Sequence, residues 1–209
     1  MAYSLFLFIR DLCGGDLVGW IDQRLADADT GVGSPNRAVT MGNALVGPLR
    51  EIAGISDKVV SMALADILLT SDPQRERWVT TGAGMIVVDT LLHNFLHRTG
   101  VLRRFDAAHT YGPRCYATGG CADLMRGLAD SIDARRFNAT FPKSFARFIQ
   151  FSVWRFCSTS ELNQCNGLRV NDRHRCRNVS CPAFTACDRI ALSAVEKAAS
   201  RRRGMVVGA

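Results

Sequence analysis

The sequence predicts an all-α protein with two lobes, and three features of its apolar pattern lead to that prediction. Apolar residues recur at spacings of three and four over several stretches, which is the period of an amphipathic helix. No stretch alternates apolar and polar residues for long enough to predict a strand. Clusters of glycine and proline interrupt the helical stretches, as they do between packed helices.

The helical stretches are distributed along most of the chain. The first predicted helix covers residues 16–28, and a helix–turn–helix follows over residues 41–69. The second half of that motif is apolar on nearly every side, which predicts a buried helix. A further helix begins after Asp89, and two more are predicted at 122–132 and 142–156.

The charge of the chain favours an anionic partner. The formal net charge is +7, and since three of the 26 basic residues are lysine, 23 are arginine. The arginine fork suits phosphates, whereas a desolvated lysine amine can act as a nucleophile. A GC-rich genome produces the same arginine excess, so charge alone does not identify the partner. It does make Lys58, at the start of a predicted helix, stand out.

The N-terminus and the cysteines predict a cytoplasmic protein without a membrane segment. Residues 1–9 are apolar but too few to span a bilayer, and they lack the flanks of an export signal. Eight cysteines are present, and five of them fall between Cys157 and Cys187. In a reducing cytoplasm such a cluster favours metal ligation over disulfides.

Two motifs carry the functional hypothesis. The first is the run 52–58, Ile-Ala-Gly-Ile-Ser-Asp-Lys, which joins two predicted helices through a glycine turn. The second is the run 88–91, Val-Asp-Thr-Leu, which opens the next apolar helix and is followed at 96–100 by Leu-His-Arg-Thr-Gly. A lysine at the start of one helix and a carboxylate at the start of another can face one cleft.

In this order the motifs resemble the helix-hairpin-helix DNA glycosylase superfamily of the endonuclease III type. The resemblance implies that Lys58 attacks the sugar of a flipped, damaged nucleotide and forms a Schiff base. It also implies that Asp89 assists cleavage of the glycosidic bond and stabilises the developing positive charge. The expected function is therefore that of a DNA base-excision glycosylase and abasic-site lyase.

The same resemblance assigns the DNA contacts. In such a hairpin, backbone N–H groups near a helix N-terminus hold a phosphate without reading bases, which assigns this role to Gly54 and Ser56. Arg98, Arg103 and Arg104 are candidates for further contacts to the DNA backbone. The expected partner is DNA, and the chain is expected to act as a monomer.

The cysteines add a third point of resemblance, since endonuclease III types often end in a four-cysteine loop that holds a [4Fe-4S] cluster. The run 181–187, Cys-Pro-Ala-Phe-Thr-Ala-Cys, matches the end of that loop. We therefore predict Cys165, Cys176, Cys181 and Cys187 as ligands, with Cys157 as the competitor of Cys165. By number alone, four thiolates suit iron–sulfur or zinc equally.

The chain departs from the family pattern at several positions. Ser56 replaces the second hairpin glycine and Leu91 replaces a histidine. Only 48 residues precede Leu49, fewer than the family uses there, which makes base extrusion the least supported step. The predicted organisation is an N-terminal helical segment, a hairpin and catalytic-helix lobe, and a C-terminal lobe with the metal loop, over residues 1–46, 47–121 and 122–209.

Two alternatives remain open at the level of sequence. One is a non-catalytic helix-hairpin-helix module that binds DNA. The other is a zinc metalloprotein, because Asp89, His93 and His97 recur every four residues on one helix face. Downstream residues that could complete such a zinc site are His109, Cys115 and Cys121.

Overall fold

The computed structural model describes residues 2–52 and 56–192, and every regular element in these ranges is helical. The predicted all-α class is therefore confirmed for the described residues. Each of their helices is too short or too polar to cross a bilayer. The α-helices are α1 (Ala2–Leu7), α2 (Leu17–Ala28), α3 (Arg37–Arg50), α4 (Asp57–Leu69), α5 (Glu76–Gly84), α6 (Thr90–Arg98), α7 (Val101–Arg104), α8 (Cys121–Ser131) and α9 (Ala146–Cys157).

The chain divides into two compact units, and each is built from two stretches of sequence. The first unit comprises Met1–Val87 and Leu128–Phe148, and the second comprises Val88–Gly127 and Ile149–Ala209. The boundaries predicted at residues 46 and 121 do not coincide with this division. Apolar spacing marks where a helix lies along the chain, but it does not show which distant segment packs against it.

The core of the first unit forms where α2, α3, α4 and α5 pack together. Helix α2 begins at a side-chain cap, since the Asp16 carboxylate accepts a hydrogen bond of 2.8 Å from the N–H of Gly19. Its apolar face places Ile21 and Leu25 in the core, as the spacing predicts. Other members of this core are Met41, Leu45, Leu49, Val60, Leu64, Leu68 and Trp78.

Helix α4 packs on one face only, so the prediction that it is buried on every side is wrong. Val60, Leu64 and Leu68 lie in the core. On its other side, Val59 and Ile67 are 50% and 45% exposed. The apolar pattern on this helix is therefore broader than the surface that the first unit covers.

A buried arginine connects three helices of the first unit. Arg37, at the start of α3, donates to both carboxylate oxygens of Asp29, which follows α2, at 2.5 and 2.8 Å. It also donates to both oxygens of Glu76, the first residue of α5, at 2.6 and 2.8 Å. Arg77 and the N–H of Gly31 complete the partners of Asp29. Six hydrogen bonds thus involve the Asp29 carboxylate or the Arg37 guanidinium.

We expect this group to make the first unit sensitive to acid. Hydrogen bonds from Arg37 and Arg77 hold the pKa of Asp29 well below its usual range. Its contribution to stability is present above the unfolded pKa of about 3.9 and is lost as the pH falls through the lower folded pKa. Urea midpoints measured from pH 6 down to pH 2.5 test this. Asp29→Asn should show a smaller loss over that range, and an identical loss in both proteins would contradict the assignment.

Candidate metal centres

The second unit contains a compact group of four buried side chains, which are His93, His109, Cys115 and Cys121. One donor atom from each lies within 4.8 Å of the others. The Nδ1 of His93 is 3.4 Å from the Sγ of Cys121 and 3.5 Å from that of Cys115. The Nε2 of His109 is 3.5 Å from the Sγ of Cys121. Two imidazoles and two thiols in this arrangement can bind a metal ion.

Local structure brings these four residues together. His93 lies on the buried face of α6, and Cys121 is the first residue of α8. Cys115 lies in a short 3₁₀ turn, Pro113–Tyr116. Gly120, directly before α8, is buried, and a Cβ at this position would overlap the carbonyl oxygen of Arg114. The glycine therefore permits the close approach of the two segments that carry the cysteines.

Burial disfavours the charged forms of two side chains in this group, His93 and Cys121. It lowers the pKa of His93 to about 4, with smaller contributions from the nearby imidazoles of His109 and His97. It also raises the pKa of Cys121 to about 12, and the adjacent Cys115 adds to this shift. Near neutral pH His93 thus keeps a free nitrogen lone pair, while Cys121 stays a thiol until a cation stabilises its thiolate.

The observed group differs from the helix-face zinc site that the sequence suggests. Asp89 is the N-cap of α6, where its carboxylate accepts a hydrogen bond of 2.8 Å from the N–H of Leu92. His97 is buried one turn beyond His93 and does not belong to the compact group. Of Asp89, His93 and His97, which recur every four residues, only His93 belongs to the compact group. The other three donors come from His109, Cys115 and Cys121.

A second group surrounds a small apolar cavity in the same unit. Phe95, Phe156 and Phe184 contribute to its lining. Four cysteines also line it, and they are the four predicted as cluster ligands: Cys165, Cys176, Cys181 and Cys187. The tertiary structure thus brings together thiols that are separated by four to ten residues along the chain. That they hold a metal stays a prediction.

Cys165 faces this cavity, whereas its competitor Cys157 is not among the lining residues. The buried Cys157 thiol shares a hydrogen bond with Cys165, which lowers the pKa of Cys165 to about 6 and raises that of Cys157. The Arg98 guanidinium, 3.7 Å from the Sγ of Cys165, lowers the Cys165 pKa further. Cys165 is thus the thiol of the pair that is prepared to act as a thiolate.

Backbone hydrogen bonds attach the end of the cysteine-rich segment to the end of α6. The N–H of Ile190 donates to the carbonyl of Arg98 at 3.0 Å, and the N–H of Asp188 donates to that of Thr99 at 3.3 Å. The Cys187 thiol donates to the Arg98 carbonyl at 3.5 Å. These contacts place Cys187 beside the helix end that also carries the Arg98 side chain.

The three arginines predicted to contact DNA occupy two different environments. Arg98 is 2% exposed, and its guanidinium pairs with Asp172 and donates to Cys165. A buried and paired guanidinium cannot reach a phosphate, so the predicted DNA contact is corrected for Arg98. Arg103 and Arg104 are exposed, and both pair with Asp188 at 2.9 and 2.7 Å. Their outer surface stays open to solvent.

The hairpin residues are described only in part, since Gly54 lies outside the described residues. Ser56 caps α4, with its Oγ accepting a hydrogen bond of 3.4 Å from the N–H of Val59. Lys58 is exposed in the first turn of α4. Lys58 belongs to the first unit and Asp89 to the second. Their pairing across one cleft therefore stays a prediction.

The sequence predicts all four residues of this group as candidates for a zinc site, but it places Asp89 and His97 in the site with them. A usable signal was the regular spacing of the true partners, since His109, Cys115 and Cys121 follow one another at steps of six residues. Steps of six do not place side chains on one face of an α-helix, so this spacing does not arise from helical periodicity. Helical spacing favoured Asp89 and His97 because such spacing relates residues of one helix only.

The fold and this group define the chain as an all-helical protein with a His₂Cys₂ group that can bind a metal ion. Comparisons with protein-family models, with curated proteins and with solved structures gave no match. A narrower assignment therefore depends on the side chains described above.

Proposed function

We propose that this protein is a DNA base-excision enzyme of the helix-hairpin-helix type, a glycosylase with abasic-site lyase activity. In this proposal Lys58 is the nucleophile and Asp89 is its electrostatic partner. The cysteine-lined cavity holds a [4Fe-4S] cluster, and the protein acts as a monomer in a reducing compartment.

The convergence of four cysteines on one cavity is the observation that carries the proposal. The resemblance names Cys165, Cys176, Cys181 and Cys187 as cluster ligands, and these same four line the cavity. They are drawn from a polar, loop-rich segment that needs a cross-link or a metal to be ordered. The order of hairpin, capping aspartate and cysteine cavity along the chain is the order that the resemblance implies.

The surroundings of the cavity fit an iron–sulfur cluster. The N–H of Arg189 donates to the Sγ of Cys187 at 3.3 Å, and the Arg98 guanidinium donates to the Sγ of Cys165. Donors of this kind stabilise thiolate ligands, and the phenylalanine rings of the lining reduce contact with water. When bound, the cluster would cross-link the cysteine-rich segment and thereby order it.

The chemistry assigned to the protein's own residues is a condensation at Lys58. Its unprotonated amine adds to the aldehyde carbon of an abasic sugar, and loss of one water leaves a Schiff base. Lys58 is exposed in the first turn of α4, so its amine is accessible to the sugar, and the desolvation that activates the amine would come from the bound DNA. The Asp89 carboxylate, held by the Leu92 N–H, supplies negative charge for the sugar cation of the glycosylase step.

A basic surface in the second unit supports DNA as the partner. A cleft within the cysteine-rich segment is lined by Arg169, His174, Arg175 and Arg177, together with Cys176. The three arginines and the histidine are exposed. Arginine-rich surfaces of this kind bind phosphates and make affinity depend on salt.

Borohydride trapping on abasic-site DNA tests the proposed lyase. Reduction of the Schiff base should link the wild-type protein covalently to the DNA. Lys58→Ala should abolish the adduct, whereas Lys143→Ala should retain it because that exposed lysine lies outside the proposed site. Asp89→Asn should slow base removal by about 100-fold or more, which is the effect of losing one strong electrostatic contact. An adduct that survives in Lys58→Ala would contradict the assignment of the nucleophile.

The basic cleft also favours a second candidate, a DNA-binding module without catalysis. Such a module would bind DNA in a salt-dependent manner, with equal affinity for intact and abasic duplexes and without trapping or base release. Charge reversal at Arg175 and Arg177 should weaken its binding. Preference for the abasic duplex together with trapping at Lys58 would exclude it.

A further inference from the structure

We propose that His93, His109, Cys115 and Cys121 bind one Zn²⁺ ion in a closed structural site, separate from the cysteine-lined cavity. All four residues are buried, and their donor atoms lie within 4.8 Å of one another. No other set of three or more metal-ligating side chains in the described part of the chain is this compact. Two thiolates with two imidazoles are a typical ligand set for structural zinc.

The separations between donor atoms match a tetrahedral zinc ion. With bonds of about 2.3 Å to sulfur and about 2.05 Å to nitrogen, tetrahedral zinc separates a nitrogen ligand from a sulfur ligand by about 3.5 Å. Three of the four nitrogen–sulfur distances in the group are 3.4, 3.5 and 3.5 Å. These three separations fit a single ion at the centre of the group.

A second contact orients one of the ligands. The Nδ1–H of His109 donates to the carbonyl of Ala107 at 2.5 Å, so the proton lies on Nδ1 and the Nε2 lone pair is free. That Nε2 is the atom that approaches Cys121. Histidine ligands of metal ions usually have such a partner on the other ring nitrogen. The hydrogen bond thus fixes both the tautomer and the direction of the ring.

The geometry favours zinc over an iron–sulfur centre at this position. In a [2Fe–2S] centre with the same ligands, two histidines bind one iron and two cysteines bind the other. That arrangement separates histidine from cysteine, whereas each histidine here has a cysteine sulfur within 3.5 Å. Four protein donors also leave no open position for a substrate, which indicates a structural ion. Binding releases the two thiol protons to solvent.

The site has a structural consequence for α6. Tyr116 follows the ligand Cys115, and its hydroxyl accepts a hydrogen bond of 3.0 Å from the N–H of Val88 and donates to the Val88 carbonyl at 3.2 Å. Val88 directly precedes Asp89, the N-cap of α6. A zinc ion bound by both Cys115 and His93 would therefore fix the positions of Tyr116 and Val88 relative to each other.

Metal analysis of the full-length protein tests the proposal. Purified wild-type protein should contain about one zinc per chain in addition to any iron. Cys121→Ser and His93→Gln should each lose the zinc and keep the iron. Cys13→Ser is the matched control, since that cysteine lies in the first unit and should keep both metals. Cys176→Ser should lose iron and keep zinc.

Cobalt substitution in the wild-type protein keeps the test valid if these variants fail to fold. After removal of zinc by a chelator, added Co²⁺ should produce the visible absorption of tetrahedral cobalt with thiolate ligands. Equimolar Zn²⁺ should abolish this absorption. The proposal is overturned if zinc is absent and no such absorption appears. It is equally overturned if Cys176→Ser loses the zinc while Cys121→Ser retains it, because the ion would then occupy the other cavity.

Discussion

Replacement of Gly100 by alanine is expected to destabilise the second unit by about 3 kcal/mol. Gly100 follows α6 with φ of +84°, a left-handed conformation that costs a residue with a Cβ about 1 kcal/mol or more. The added Cβ would also overlap the carboxylate of Asp188, which is anchored by Arg103 and Arg104. Overpacking of this kind costs about 1–3 kcal/mol. Both effects act on the contact that attaches the cysteine-rich segment to α6.

Urea unfolding measures this effect. Gly100→Ala should lower the unfolding midpoint. The double variant Gly100→Ala with Asp188→Ala should recover part of the stability, because it removes the overlap with the carboxylate but leaves the contact of 2.9 Å with the Cβ of residue 188 and the backbone strain. Gly127→Ala in α8 is the matched control, since a Cβ there meets open space and improves helix propensity. A control that unfolds as readily as Gly100→Ala would contradict this explanation.

Replacement of Arg37 by methionine is expected to destabilise the first unit and to lower its urea midpoint, because it removes the guanidinium with which the Asp29 and Glu76 carboxylates are paired. The side chains of Arg37 and Asp29 are 8% and 10% exposed. Without the guanidinium, Asp29 keeps Arg77 and the N–H of Gly31 but loses two hydrogen bonds. Glu76 is 56% exposed and becomes solvated, so most of the cost arises at Asp29.

Arg10→Met provides the control for this substitution. Arg10 pairs with Asp11 on the surface, where the two side chains are 58% and 51% exposed. Water and salt screen pairs of this kind, so they contribute little to stability. We expect the urea midpoint of Arg37→Met to fall clearly below that of Arg10→Met. Equal midpoints would show that burial does not set the strength of the Arg37 interaction.

Helix starts are the features that the sequence predicted best. Asp16 precedes an apolar face with helical spacing, and it caps α2 in the structure. Asp89 directly precedes another predicted helix, and it caps α6 in the structure. A cap and the first turn that it stabilises are close in sequence, so both are visible in a single stretch of residues.

The exposure of α4 and the environment of Arg98 could not be read in this way. The apolar pattern of α4 does not show how much of the helix surface its neighbours will bury. Arg98 occupies the end of an amphipathic helix, where an arginine is usually solvated. Its burial results from Asp172 and Cys165, which are 74 and 67 residues further along the chain.

By itself the sequence determined the helical class and the start of α2 and of α6. These follow from local spacing and capping residues. Only the tertiary structure decided that His93 faces His109, Cys115 and Cys121 instead of its neighbours Asp89 and His97. The physical reason is that a metal-ligand group is defined by distances between donor atoms, and those distances depend on how a loop packs against a helix.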